Sequence, residues 1–463
     1  MNNSKFLLKT IAFTTACITV TTLSGCGAKA LPNFQIPEGG LTTEPITIDF
    51  YSTMGQNLQD VFNAYLPEFQ EMYPNITVNH TQPGSYDDVR DQVSTELAAR
   101  GGPDLAYCYP DHVALYNKAG AVVRLDNLID NSEYGLTKAQ VDDFIPGYYE
   151  EGVQYGDGAM YTLPFSKSTE VLYYNKTFFE KHDLKVPTSW DEMETVCRQI
   201  KKIDPTSTPL GYDSESNWFI TLCEQYGSPY TSATGDHFLF DNEVNRGFVK
   251  KIRQWFKDGL VTTQEIYGSY TSGLFVATAE GENKSYMSIG SSAGATHQRP
   301  AKGADNTYPF EVGIAPIPQV NQKKAKVISQ GPSLCLFKGQ NPQETLAAWL
   351  LMKFMTTNVA FQAEFSRASG YVPVLQSVGE LDSYKAYLDK ADGGDNVAFL
   401  SAKVCLEQVD NYYTSPAFVG SSKAREEVGN IIVRVLGADL NADDDQIIDE
   451  AFRTAIEECE YSI

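Results

Sequence analysis

The sequence predicts an α/β fold in which parallel sheets are covered by helices. Three observations carry this: strand-like and helix-like periodicities alternate from residue 46 onward, the runs are short, and turn residues separate them. Ile46, Ile48 and Phe50 alternate with Thr47, Asp49 and Tyr51, the period of a strand. Leu58, Val61, Phe62, Tyr65, Leu66 and Phe69 recur at helical spacing, with a kink or break expected at Pro67. Ile76–Val78 follows Pro74 as a second strand, and Tyr86, Val89, Val93 and Leu97 form a second amphipathic helix that Gly101-Gly102-Pro103 ends. Leu105–Tyr109 reads as a third strand. Successive strand–helix–strand units pair in parallel, and ligands then bind at the carboxyl ends of the strands. Ser52, Thr53, Gln56, Asp111 and His112, all just past strands, are therefore candidate ligand contacts.

The alternation continues. Tyr161–Pro164, Val171–Tyr174, Tyr286–Ile289, Val312–Ala315 and Leu334–Phe337 read as strands. Ser189-Trp190-Asp191-Glu192 is a capping box opening a helix through Ile203. Leu346–Thr356 is an apolar helix, and the last hundred or so residues read as mainly helical.

The first residues set the compartment. Lys5 and Lys9 precede an apolar stretch, Phe6–Val20, that is short and interrupted by threonines. Leu23-Ser24-Gly25-Cys26 then resembles the lipobox of bacterial lipoproteins, which places the signal peptide at 1–25 and the lipid on Cys26. Residues 26–45, rich in proline and glycine, form a tether. The expected location is the extracytoplasmic face of the cell membrane, through the lipid anchor.

The formal net charge of −23 becomes more negative when the signal lysines leave. Nothing supplies a basic track for nucleic acid, and anionic ligands are weakly disfavoured. Beyond Cys17 and Cys26, the six cysteines Cys108, Cys197, Cys223, Cys335, Cys405 and Cys459 lie far apart without a C-x-x-C pair, so neither a zinc framework nor a disulfide scaffold is expected. No cofactor is called for. Asp439, Asn441, Asp443, Asp445 and Glu450 imitate a calcium loop, but Asp444 stands where such a loop needs glycine.

Catalytic signatures are weak. Gly290-Ser291-Ser292-Ala293-Gly294 matches G-x-S-x-G, yet the only later histidine is His297, five residues on, and a nucleophile elbow needs a base that can reach back. By contrast, the chain holds 27 tyrosines against 24 phenylalanines, and aromatic faces with polar edges suit sugars. Tyr86 after the Gly84 turn, Trp218 in the polar stretch Ser214–Asn217, and Tyr371 after Gly370 are the aromatic candidates.

Five segments in order resemble the family 1 solute-binding proteins of bacterial ABC importers. They are Tyr161–Phe165 with Val171–Phe179, Val186–Glu192, Val312–Pro318, Gly331–Leu334 and Gly370–Val374. The resemblance implies two α/β lobes, each a sheet flanked by helices, with ligand in the cleft between them. It places 46–163 and 313–357 in the N-terminal lobe and 164–312 and 358–463 in the C-terminal lobe, with crossings near Pro164, Val312 and Thr357. Within the family, Pro164–Thr169 is similar to the hinge of glycerol-3-phosphate-binding proteins. That likeness implies Ser168, Thr169, Ser291, Ser292, Gly331 and Tyr371 as contacts. Those proteins hold phosphate with an arginine two residues before a glycine near the C-terminus; if the matching glycine is Gly420, Phe418 takes that place and the charge is missing. The resemblance thus implies a monomeric carrier that presents a neutral sugar to the permease subunits, with glycerol-3-phosphate or a glycerophosphodiester as the alternative ligand. An exported glycan hydrolase, needing two carboxylates across a cleft, and a surface adhesion lipoprotein are the rival readings.

The lipid anchor is tested by metabolic labelling with a fatty acid. Wild type is expected to be labelled and Cys26→Ala is not; label persisting on the variant would contradict the reading.

Overall fold

A computed structural model of the chain describes residues 32–279, 281–339, 341–389 and 397–463; Cys26 and the signal lie outside them. In chain order the strands are β1 (Ile46–Tyr51), β2 (Ile76–Thr81), β3 (Leu105–Cys108), β4 (Thr162–Pro164), β5 (Glu170–Asn175), β6 (Leu210–Tyr212), β7 (Val261–Thr263), β8 (Met287–Ser291), β9 (Val312–Pro316), β10 (Val327–Ile328), β11 (Ser333–Leu336) and β12 (Tyr412–Tyr413). They form two five-stranded sheets, β2-β1-β3-β11-β4 and β7-β6-β8-β5-β9, and a small pair, β10-β12. Each large sheet joins three parallel strands to two antiparallel ones. These are two lobes of one plan.

Side-chain alternation along the strands explains why each sheet is covered on both faces. On β3, Leu105 and Tyr107 join a cluster with Ile48, Phe50, Leu334 and Leu336, while Ala106 and Cys108 face another with Cys335 and Phe337. On β5, Leu172 packs with Trp218 and Ile289, whereas Val171 and Tyr173 meet Val312, Ile314 and Cys405 on the other side. The six cysteines are buried with free thiols. Helix Gln56–Met72 runs on through Pro67, because Leu58 and Phe62 before it and Phe69 after it are all anchored in the first-lobe core.

One strand lies on the opposite lobe from the expectation. β9 pairs with β5 across Val171–Asn175, so residues 313–316 belong to the second sheet, and the chain recrosses after Pro316 rather than near Val312. The third crossing is also later than Thr357, because Phe361 and Phe365 of helix Val359–Ala368 pack in the first-lobe core. The reason in both cases is non-local: apolar strands and helices of this length fit either lobe, and partners remote in sequence decide.

Three crossing segments are laced together. Ser168 and Gln330 exchange both backbone hydrogen bonds (2.8 and 2.9 Å), and Lys167 and Val372 do the same (3.3 and 2.7 Å). Ser166 N–H donates to the Pro332 carbonyl at 3.2 Å. Gly331 turns the second segment at φ +91°, where a Cβ would strike the Ser166 carbonyl. Beneath them lies a buried ion pair: Lys167 Nζ is 2.5 Å from Glu151 Oε1 and also donates to the Gly331 carbonyl (3.1 Å) and Ser333 Oγ (3.0 Å).

Glu170, which opens β5 at this junction, is fully buried, and burial pushes its carboxyl up to about 7 although Tyr212 donates to Oε2 at 2.6 Å. A carboxyl that holds its proton more tightly folded than unfolded stabilises fully below its unfolded value of 4.5, and that contribution is lost as pH rises through about 7. Asp104, pushed up by burial to about 6, acts in the same direction. Thermal melts are therefore expected to show stability falling across this range, with Glu170→Gln flattening the fall. Parallel profiles for wild type and variant would contradict this account of Glu170.

Candidate functional site

A cavity of about 680 Å³ opens between the lobes. Its walls are built at the carboxyl ends of parallel strands. β2 leads to helix Tyr86–Ala98, β3 to helix Pro110–Asn117 and β6 to helix Glu215–Tyr226, while Glu265 follows β7 by two residues. The fourth wall helix, Ser421–Gly437, starts from Gly420 at φ +102° and packs against helix Pro110–Asn117 across the cleft. All four helices put their first turns on the cavity, so their unpaired N–H groups and positive dipole ends favour oxygen-rich ligands there.

Local sequence explains these starts. Ser85 caps the first helix in a reciprocal capping box with Asp88, setting Tyr86 at the first helical position. Pro110 begins the second, fixing Tyr109, Asp111 and His112 at the cavity. Ser214 accepts a hydrogen bond from Asn217 N–H at the start of the third.

The first-lobe wall is aromatic and hydrogen-bonded. Tyr86 and Tyr109 have ring centroids 4.8 Å apart, and Tyr86 and Tyr371 hydroxyls lie 3.1 Å apart. Burial raises both the Tyr86 and Tyr109 phenols, so they stay protonated donors. His112 sits edge-on to Tyr109 at 5.5 Å; burial lowers its pKa, and its Nδ1 has no hydrogen-bond partner. Arg90 is engaged by Asp87 (2.6 Å) and Asp91 (2.8 Å).

The second-lobe wall carries Glu215, Ser216, Tyr230, Ser421, Ser422 and Arg425. Arg425 donates to Asn217 Oδ1, and Asn217 Nδ2 donates to Gln330 Oε1 at 2.8 Å, which ties the guanidinium to the second crossing segment. Glu215 Oε1 accepts from Glu265 N–H at 2.9 Å.

Of the residues expected at the site, Tyr86, Asp111 and His112 line the cavity. Tyr371 touches Tyr86 from behind, and Gly331 adjoins Gln330 of the wall. The others lie elsewhere. Ser52 is buried with its Oγ 2.6 Å from His80 Nε2, Thr53 is not on the cavity lining although its side chain acts on the Tyr86 phenol, and Gln56 is exposed and bonds Asp60. Ser168 is held by its backbone pairing, and Thr169 Oγ1 donates to the Ile328 carbonyl at 2.6 Å. Ser291 Oγ caps its own turn by accepting from Ala293 N–H, and Ser292 Oγ is buried and accepts from Thr169 N–H at 3.2 Å. Trp218 is core: it stacks on Tyr212 at 4.6 Å and 10°. Phe418 is likewise buried, stacked on His237 at 4.7 Å. The acidic run near the C-terminus does not converge: Asp444 pairs with Arg253 and Lys257, Asp445 with Lys250 and Asp449 with Arg246.

Sequence reading missed Tyr109, Glu215, Tyr230 and Glu265, and Arg425 was not among its ligand contacts. A signal existed for three of them: Tyr109 precedes a helix-starting proline, Glu215 follows the N-cap serine, and Arg425 lies one turn into a helix that starts after a glycine.

The family model of bacterial extracellular solute-binding proteins matches residues 64–391. An uncharacterized ABC transporter extracellular-binding protein of Pyrococcus horikoshii is 26% identical over 206 residues, 44% of this chain and 46% of that one. The sn-glycerol-3-phosphate-binding periplasmic protein UgpB of Rhizobium meliloti is 25% identical over 287 residues, covering 59% and 62%. The matches thus span about half to three-fifths of these relatives. In fold, the GacH receptor of Streptomyces glaucescens, known with acarbose, superposes with a TM-score of 0.68 at 18% identity over 89% of this chain and 98% of its own. With most of its length matched by the family model, the chain belongs to the bacterial extracellular solute-binding protein family.

Proposed function

We propose that this protein captures a neutral carbohydrate between its lobes and delivers it to the membrane permease of an ATP-driven importer, without chemistry of its own. The observation that carries the ligand class is the cavity wall. Asp87, Asp111, Glu151, Glu215, Glu265 and Glu426 stand against only two guanidinium groups, Arg90 and Arg425, among tyrosines and serines. Carboxylates accept hydroxyl hydrogens in charge-assisted bonds and repel anions. Tyrosine rings offer faces to sugar C–H groups and hydroxyls to their edges. Acarbose, held by the Streptomyces glaucescens neighbour, is in keeping with such a wall.

Lipidation at Cys26, an extracytoplasmic position and a monomeric state belong to the same proposal. The lobes would close around the sugar because contacts on both walls exist only in the closed state. Absence of catalysis is in keeping with the buried Ser292, whose Oγ is already used by Thr169 N–H, and with His297, which is exposed.

One observation favours a second reading. Arg425 brings a guanidinium to the cavity from a position seven residues beyond Phe418, so a phosphate or phosphodiester has a partner after all. The Rhizobium meliloti relative is named for sn-glycerol-3-phosphate.

Calorimetry decides between them. Against maltose, maltotriose, cellobiose, lactose and raffinose, at least one Kd of about 1 μM or tighter is expected, worth about 8 kcal/mol. Glycerol-3-phosphate is expected to give no heat. Tight glycerol-3-phosphate binding that Arg425→Ala abolishes would establish the second reading instead.

A further inference from the structure

We infer that Glu151 is a ligand-reading carboxylate on the cavity floor, selective for sugar hydroxyls, and that Lys167 is the residue that positions it. The inference rests on the carbohydrate reading and deepens it.

Glu151 lies in the short turn Glu150–Val153 of the first lobe, its side chain is 2% exposed, and it nevertheless lines the cavity. One carboxylate oxygen is fully used: Oε1 accepts from Lys167 Nζ at 2.5 Å and from Ser333 Oγ at 3.0 Å. Among the described residues, none of the side-chain hydrogen bonds of Glu151 uses Oε2. Lys167 spends its remaining donors on the Gly331 carbonyl and Ser333 Oγ, so it cannot swing away to meet a ligand. Its ammonium is 0% exposed.

A buried ion pair is poor value as a source of stability, since desolvating both groups offsets much of their attraction. Here the pair sits where two crossing segments meet the ligand cavity, and its geometry leaves one oxygen over. A carboxylate oxygen in a water-poor floor accepts from a hydroxyl more strongly than a neutral acceptor does. It also disfavours a phosphate oxygen at the same place. Because Lys167 belongs to the first crossing segment and Gly331 and Ser333 to the second, a hydroxyl bound at Oε2 pulls on the joint between the lobes directly.

Glu151→Gln tests this with little change of shape. Lys167 and Ser333 still require an acceptor, so the amide oxygen stays with them and the NH₂ faces the cavity, a donor where an acceptor is needed. The tightest binder of the five sugars above is titrated by calorimetry into wild type and variant, together with each of its monodeoxy derivatives. The variant is expected to lose affinity about ten- to hundredfold. For the one derivative that lacks the hydroxyl read by Glu151, wild type and variant are expected to bind alike, as coupled partners do in a double-mutant cycle. If the unpaired ammonium prevents folding, Lys167→Met/Glu151→Gln, which removes both charges, carries the same test. Affinity within twofold of wild type would overturn the assignment, and so would losses that multiply for every derivative, the pattern of a purely structural role. If no sugar binds wild type, the carbohydrate reading itself falls, and this inference with it.

Discussion

The rest of the molecule depends on one constraint: three chain segments must pass between two separately packed sheets without leaving their backbone groups unpaired. Buried backbone polar groups are costly when unmatched, and here they are matched to one another. Ser168 pairs with Gln330, Lys167 with Val372, and Ser166 with Pro332. The joint is therefore a miniature three-stranded sheet rather than a loose linker. It is ordered across its width yet narrow enough that bending it disturbs few bonds. A threonine hydroxyl adds to the lacing, since Thr169 Oγ1 donates to the Ile328 carbonyl.

The cavity follows from the same plan. Two sheets that each run their parallel strands toward the joint place their strand ends, and the helix starts that follow, on facing walls. That arrangement concentrates N–H groups, small hydroxyls and first-turn carboxylates around one space without any one residue being unusual. The chemistry is that of reversible binding. The polar side chains are already hydrogen-bonded, Arg425 to Asn217 and Glu215 to the Glu265 N–H, and a ligand can replace or extend those bonds. The acidic excess of the walls matches the acidic chain as a whole, so long-range and short-range electrostatics favour the same ligand class.

The sequence disclosed the alternation of strands and helices because periodicity is local, and β1, β2 and β3 read off Ile46, Ile76 and Leu105 directly. It did not disclose which sheet β9 joins, since an apolar strand such as Val312–Pro316 fits either and the pairing with Val171–Asn175 is remote in sequence. The site was legible in outline, at the carboxyl ends of strands, but only in part by residue. Trp218 stands among polar neighbours, yet those neighbours cap its helix while the ring turns inward onto Tyr212. Ser52, Ser291 and Ser292 follow strands as site residues do, but their hydroxyls serve the backbone and His80. Arg425 and Tyr230 come from segments remote in sequence from Tyr109; the docking of helix Ser421–Gly437 beside helix Pro110–Asn117 brings Arg425 to the cavity, and Tyr230 reaches it from the second lobe.

On this reading a ligand bridges the two lobes across the laced joint. Small-angle scattering of the purified protein, free and saturated with a sugar that calorimetry shows to bind, tests that claim most directly. The radius of gyration is expected to fall on saturation as the lobes close. Identical scattering curves at full occupancy would contradict it.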